Sequence, residues 1–279
     1  MDGFLLAYKE KGVSSNQVVQ KVKKSLSLKK VGHLGTLDPM AEGLLVLAIN
    51  RATRFSSFFL ESDKSYQAKV QFGSKTDTDD ALGNIIESSS LIPLEKDIET
   101  KLKSFVGESL QNAPFFSALK YKGKPLYKYA RDGEYISKPP REINIFSINN
   151  IEHGDNECDF LVHCSKGTYI RSIARDLGDN LGCLGHLSGL IRITQGIFNI
   201  KDSNLTDEIK LDELISIENA FQSFDRIDLD DSNTKIFING GKVIINEHEN
   251  NFYRIYDNSS KFLGLGFLQE SLLALKRLV

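Results

Sequence analysis

The chain has 279 residues, 41% of them hydrophobic and 26% charged, with a formal net charge of −2. This is a globular composition with room for one large domain and a small one, and it excludes disordered and fibrous classes. No apolar run approaches the ~18–20 residues of a membrane span, no signal peptide is expected from the opening stretch, and three cysteines without CxxC spacing argue against a disulfide framework or zinc site and fit a reducing cytoplasm.

Taken in chain order, Ser14-Ser15-Asn16 ahead of Val18, Val19, Val22 and Leu26 is an N-cap signal followed by helical spacing. Gly32 to Gly43 is a loop with three glycines around Asp38-Pro39. The run from Gly43 to Ile49 is continuously apolar, as in a strand buried on both faces. Tyr66, Ala68, Val70 and Phe72 alternate with polar residues, which predicts a half-buried strand. Ile98, Leu102 and Phe105 predict a helix closed by Gly107. Lys120 to Arg131 interleaves basic residues with Tyr121, Tyr127 and Tyr129. Ile143 to Ile151 and Cys158 to Cys164 read as strands joined by a turn at Gly154-Asp155-Asn156, with Cys158, Phe160 and Cys164 on the buried side. Thr168 to Leu181 reads as a helix ending at Gly182. An acidic helical stretch (Leu211 to Phe221), a linker (Asp228-Leu-Asp-Asp-Ser) and a small β-rich unit from Lys235, broken by glycine and asparagine turns, complete the chain. Strands and helices interleave irregularly, so an α+β fold with a mixed sheet is expected.

Near-neutral charge conceals an uneven distribution. Lysines crowd the first thirty residues, a second basic stretch runs from Lys120 to Arg141, and acids gather between Asp202 and Asp231. A basic face on a neutral protein suffices to meet a phosphate backbone. For Asp38, spacing alone admits two readings: a carboxylate aimed by a glycine-bounded loop, or the N-cap of a helix begun by Pro39. Spacing favours the cap.

The motifs weigh the other way. Gly32-His-Leu-Gly-Thr-Leu-Asp-Pro-Met-Ala-Glu-Gly43 resembles the catalytic motif of the TruB pseudouridine synthases. Further blocks follow in the same order as in that family. Gly3 to Asn16 resembles its opening segment, although Tyr8-Lys9-Glu10-Lys11-Gly12 stands where the family usually has a proline before the turn. Asp63-Lys64-Ser65-Tyr66, Gly73 to Gly83, Ser117 to Gly133, Cys164-Ser-Lys-Gly-Thr-Tyr-Ile-Arg-Ser172 and Gly182 to His186 with Leu190-Ile-Arg192 resemble later family segments. The C-terminal unit resembles, over a shorter match, an RNA-binding PUA domain.

The resemblance implies a pseudouridine synthase fold: a central mixed, mainly antiparallel sheet flanked by helices and loops, with a PUA-like β-barrel behind it. It implies a catalytic domain over 1–227, with an RNA-clamping insertion at about 115–141, and a C-terminal domain over 228–279. It implies isomerisation of uridine to pseudouridine at position 55 in the T loop of tRNA, by base flipping and nucleophilic attack. Asp38 matches the nucleophile, Arg171 the arginine that pairs with it, and Tyr66 the tyrosine that stacks on the uracil. His33, Lys64, Tyr169 and Leu190 match positions around the flipped base. Lys120, Lys122, Lys124, Tyr127, Lys128 and Arg131 fall in the RNA-clamping segment, where charges suit phosphates and rings suit unstacked bases. No cofactor, metal, membrane or obligate protein partner is expected, and a cytoplasmic monomer is implied.

The closest rival is a sibling synthase acting on another RNA, against which motif order and the insertion favour tRNA. Two further readings stand beside it. The first is a non-catalytic RNA-binding or tRNA-folding protein on the same scaffold. The second is a glycosidase, which would need a second carboxylate beside Asp38, for which Glu42 is the local candidate.

Overall fold

A computed structural model describes residues 1–246 and 248–279. The chain opens with β1 (Gly3–Lys9), α1 (Ser15–Ser25), β2 (Val31–His33) and β3 (Glu42–Ile49). Next come α2 (Ser56–Leu60), β4 (Lys64–Phe72), the small hairpin of β5 (Ser74–Thr76) and β6 (Ile85–Ser88), α3 (Glu95–Ser104) and β7 (Gly107–Gln111). The insertion is a hairpin, β8 (Lys120–Tyr121) and β9 (Lys124–Pro125), capped by α4 (Leu126–Arg131). Then follow β10 (Arg141–Gly154), β11 (Glu157–Cys164), α5 (Ile170–Leu181), β12 (Gly185–Gln195) and the short β13 (Phe198–Asn199), β14 (Asn204–Leu205) and β15 (Ile215–Ser216).

Apart from the two hairpins β5–β6 and β8–β9, these strands form one eleven-stranded sheet in the order β14-β1-β3-β12-β4-β11-β10-β7, with β2 on β3, β13 on β12 and β15 on β1. The β1–β14 and β12–β3 pairs are parallel and the other pairs antiparallel, so the sheet is mixed and mainly antiparallel, as expected. β3 is continuously apolar because both its faces are covered. Leu44, Val46 and Ala48 pack with Phe4, Phe55, Phe59 and Phe198, while Leu45, Leu47 and Ile49 pack with Val18, Val19 and Val22 of α1. β4 alternates because only one face is covered, and there Tyr66, Ala68, Val70 and Phe72 meet α5 and α3. α1 begins with the capping box of Ser14 and Gln17, and α5 ends on Gly182 in the left-handed region at φ +69°.

Gly43, at the start of β3, follows the loop that carries Asp38 and has no substitute. Its φ is +97°, and a Cβ there would lie 2.6 Å from the carbonyl oxygen of Arg192.

Several expectations for the last quarter fail. The stretch from Leu211 to Phe221 is not one helix: a 3₁₀ turn (Leu211–Glu213) gives way to β15 and then to α6 (Ile217–Ala220). Asp228-Leu229 is not a linker. It belongs to β16 (Arg226–Leu229), whose Ile227 and Leu229 point inward while Arg226 and Asp228 stay exposed. Asp230 then caps α7 (Asp231–Ile238), which takes up Lys235. β17 (Val243–Ile244), β18 (Asn251–Asp257), β19 (Phe262–Gln269) and β20 (Leu272–Leu278) complete a five-stranded sheet in the order β16-β18-β19-β20-β17. Gly264 and Gly266 lie inside β19 rather than breaking it. Phe252 of this sheet packs edge-on against Phe58 of α2 at 5.3 Å, and Arg277 Nε donates to Arg54 O at 2.9 Å.

Candidate active site

The loop between β2 and β3 is held by main-chain bonds that leave the Asp38 side chain free. Ser15, buried in the first turn of α1, accepts from Leu37 N at 2.9 Å and donates to Leu37 O at 3.1 Å. Gly12 N donates to Pro39 O at 2.8 Å, so the opening turn braces the loop even without the proline usual in that segment. Lys9, fully buried, ties the same turn by donating to Val13 O at 2.6 Å, and burial lowers its pKa to about 8 against the opposing pull of Asp38 and Glu42. Asp38 O accepts from Ala41 N at 3.0 Å. This closes a turn; no helix follows Pro39, and the N-cap reading of Asp38 falls.

The carboxylate instead meets Arg171. Arg171 Nε lies 2.9 Å from Asp38 Oδ2, with the arginine side chain 5% exposed and the aspartate 39%. Arg171 is therefore not a surface helix arginine. Two of its other donors go to the main chain: Nη1 donates to Thr78 O and Nη2 to Phe116 O, each at 3.0 Å. Asp80, buried, stands 3.6 Å from Nη1 and is itself held by Thr78 Oγ1 and Leu82 N. A planar fork so engaged has one orientation, which fixes that of the carboxylate. One turn along α5, Arg175 pairs with Asp79 at 3.0 Å and donates to Asn112 O. The face of α5 thus grips the 77–80 and 111–116 segments together.

Asp38 and Arg171 lie on a cavity of about 200 Å³ lined also by Leu37, Tyr66, Ser117, Tyr169 and Leu190. Register explains its floor: Tyr66 is opposite Arg192 and Ala68 opposite Leu190 in the β4–β12 pair, so these four side chains share a face. Burial pushes the Tyr66 phenol up to about 12, with the neighbouring Arg192 guanidinium opposing the rise. The phenol therefore stays protonated at neutral pH. Arg192 is 1% exposed, and it donates through Nε to Leu44 O at 2.7 Å and through Nη2 to Gly35 O at 3.1 Å. Among the described residues no carboxylate lies within ion-pair distance of it.

An aspartate held by arginine at a small cavity with an aromatic floor can present a carboxylate oxygen to a planar ligand lying on that floor. The family model for the TruB family pseudouridylate synthase N-terminal domain matches residues 23–170, over half of the chain. The chain belongs to the TruB family of pseudouridylate synthases. A second model, for the C-terminal domain of pseudouridine synthase II TruB, matches residues 226–279. Proteins named tRNA pseudouridine synthase B from Methylobacillus flagellatus and Clostridium acetobutylicum are both 39% identical to it. The first covers 95% of this chain and 91% of its own, the second 97% and 96%. In fold, the chain resembles the structures titled a Cbf5-Nop10-Gar1 complex (TM-score 0.72, 23% identity) and an H/ACA RNP bound to a substrate RNA containing 2'-deoxyuridine (TM-score 0.71, 21% identity). Each match covers 99% of this chain and 84% of the other.

In this TruB-family chain the structure brings together Asp38, Arg171, Tyr66, Tyr169 and Leu190. It does not place His33 or Lys64 on the cavity wall. His33 ends β2, its Nδ1 buried with no partner among the described residues, and burial together with Arg192 lowers its pKa. Lys64 is not a solvated lysine. Its Nζ donates to Leu60 O at 3.2 Å and to Ser62 O, and burial lowers its pKa to about 8. Glu42, the second carboxylate a glycosidase would need, accepts from Tyr8 Oη at 3.0 Å and does not line the cavity. On the insertion, Lys120, Lys122, Lys128 and Arg131 are exposed, and Arg131 lies over the Tyr127 ring at 5.4 Å. Lys124 is held by Asp132 at 2.6 Å and covers the Tyr129 ring. Spacing marks neither Asp80 nor Ser117. Arg192 was within reach, because it shares the strand parity of Leu190.

Among the described residues, no helix is long and apolar enough to cross a membrane.

Proposed function

We propose that this chain converts uridine to pseudouridine at position 55 in the T loop of tRNA, acting alone, as a monomer in the cytoplasm. The observation that carries the reading is the 2.9 Å pair of Asp38 and Arg171 on a cavity floored by Tyr66 and Leu190. The names of its full-length relatives support tRNA as the substrate.

The target base is stacked within the RNA and must leave the stack before any of its atoms is reachable. Extrusion costs a few kcal/mol, offset by stacking on Tyr66 and by phosphate contacts. Asp38 attacks the flipped nucleotide at C1′ or C6, the N1–C1′ bond breaks, the uracil turns, and C5 joins C1′. C5 loses a proton and N1 gains one, so the product is an isomer. No electron is transferred and no group is released, so this chemistry calls for no cofactor. Tyr66 offers its ring to the uracil face; if its phenol is to take the C5 proton it must first give up its own, and Arg192 is placed to stabilise the phenolate.

The direct test is incubation with unmodified tRNA transcripts and mapping of pseudouridine by carbodiimide treatment and primer extension. One modified site in the T loop is expected. Free uracil among the products would point instead to a glycosidase.

The insertion is proposed to hold the RNA backbone. Replacing Lys120, Lys122, Lys128 and Arg131 by alanine is expected to weaken tRNA binding and to flatten its salt dependence. Each lost phosphate contact lowers the slope of log Kd against log salt by roughly 0.7–0.9. Lys124 is left out because Asp132 neutralises it locally. An unchanged slope between low and physiological salt would remove this segment from the RNA interface.

A further inference from the structure

Ser117 lines the catalytic cavity at 3% exposure, and its Oγ has no hydrogen-bond partner among the described residues. Buried hydroxyls are nearly always paired, because an unpaired one loses its hydration for nothing. Other hydroxyls around the site conform: Ser15 is bonded to Leu37, Ser172 to Asn112 O and Thr78 to Asp80.

The main chain at Ser117 is held in place by bonds in which the hydroxyl takes no part. The preceding carbonyl, Phe116 O, accepts from Arg171, the same guanidinium that orients Asp38. Ser117 O accepts from Tyr127 N in the first turn of α4 at 3.0 Å, and Leu119 O accepts from Leu126 N at 2.7 Å. Ser117 therefore lines the cavity, with its hydroxyl buried behind the wall, while its main chain anchors the insertion.

A uridine entering this cavity surrenders the water on its carbonyl and ribose oxygens. Leu37, Tyr66, Ile170 and Leu190 offer it mostly apolar surface, Asp38 as a carboxylate has no proton to donate, and Arg171 Nε is already bonded to Asp38. A site that removes water from an oxygen must return a donor to it. We propose that Ser117 is a substrate-binding residue whose hydroxyl donates a hydrogen bond to an oxygen of the flipped uridine. This rests on the uridine-isomerase reading above.

The test compares the full-length protein with Ser117→Ala. Because the hydroxyl has no partner in the protein, its removal is expected to leave Tm unchanged or to raise it. The kcat/KM for unmodified tRNA is expected to fall roughly 10- to 100-fold. A hydroxyl with a purely structural role would give the reverse: a lowered Tm with activity retained. The atom contacted is assigned from the Kd of both proteins for T-arm hairpins carrying uridine, 2′-deoxyuridine, 2-thiouridine or 4-thiouridine at the target. The analogue whose penalty disappears in Ser117→Ala identifies the ribose hydroxyl or the uracil carbonyl. Unchanged kcat/KM, or penalties that add for every analogue, would overturn the proposal. Absence of pseudouridine with the unsubstituted protein would instead overturn the functional reading beneath it.

Discussion

Asp38→Asn is expected to yield a folded protein that binds tRNA within a few-fold of the parent and forms no detectable pseudouridine. The loop that carries Asp38 is fixed by Ser15, Gly12 and Ala41 through main-chain atoms, none of which the substitution touches. The amide is isosteric and keeps an oxygen facing Arg171 Nε. Arg171 also keeps its two carbonyl partners and Asp80. The stability change should therefore stay below about 1 kcal/mol, as for other half-exposed ion pairs. What the amide lacks is a nucleophilic oxygen, so single-turnover conversion should fall by at least about 10⁴-fold. Single-turnover primer extension with excess protein, alongside a filter-binding Kd, separates the two effects. An asparagine variant retaining a few per cent of the rate would remove Asp38 from the nucleophile's role.

Arg192→Met should be the most damaging of the conservative-volume substitutions, and it should damage stability and turnover together. Arg192 is the donor to Leu44 O and Gly35 O and the polar neighbour of the Tyr66 hydroxyl. Methionine fills the volume but leaves these buried oxygens without a donor, at about 1–3 kcal/mol each. Part of that loss is returned. Burial is the main cause of the lowered pKa values of Lys64 and His33, but Arg192 adds to both, and its removal relieves the repulsion. A net loss of roughly 2–4 kcal/mol is expected, seen as a drop in Tm of roughly 5–15 °C. The His33 pKa should rise, which NMR titration can follow. Below the transition kcat should still be reduced, since Gly35 O loses its donor and Tyr66 its cationic neighbour. A variant with parental Tm and parental kcat would show that Arg192 holds neither.

The catalytic half of the fold was legible because its signals are long and physically distinct. β3 is apolar throughout since α1 covers one face and the phenylalanine cluster the other. β4 alternates since only one side meets α5, and Ser14 and Gly182 cap their helices as their residue types suggest. The loop was harder. Asp-Pro is compatible with a helix start, and what excludes it is that the turn closed by Ala41 N on Asp38 O runs straight into β3 at Glu42. Ser117 and Asp80 sit in irregular segments, where no periodicity shows which side is in. β16 was hidden because four residues are too few to establish a period of two among charged neighbours, though Ile227 and Leu229 do alternate inward.

Arg171 joins pieces of chain that are distant in sequence: the loop at Asp38, the turn at Thr78, the leg at Phe116 and α5 itself. During synthesis the aspartate emerges long before its counterion. Until α5 docks, the carboxylate belongs to a loop with neither orientation nor cavity. If Asp38 is the nucleophile proposed above, its aimed geometry is a property only of the finished fold.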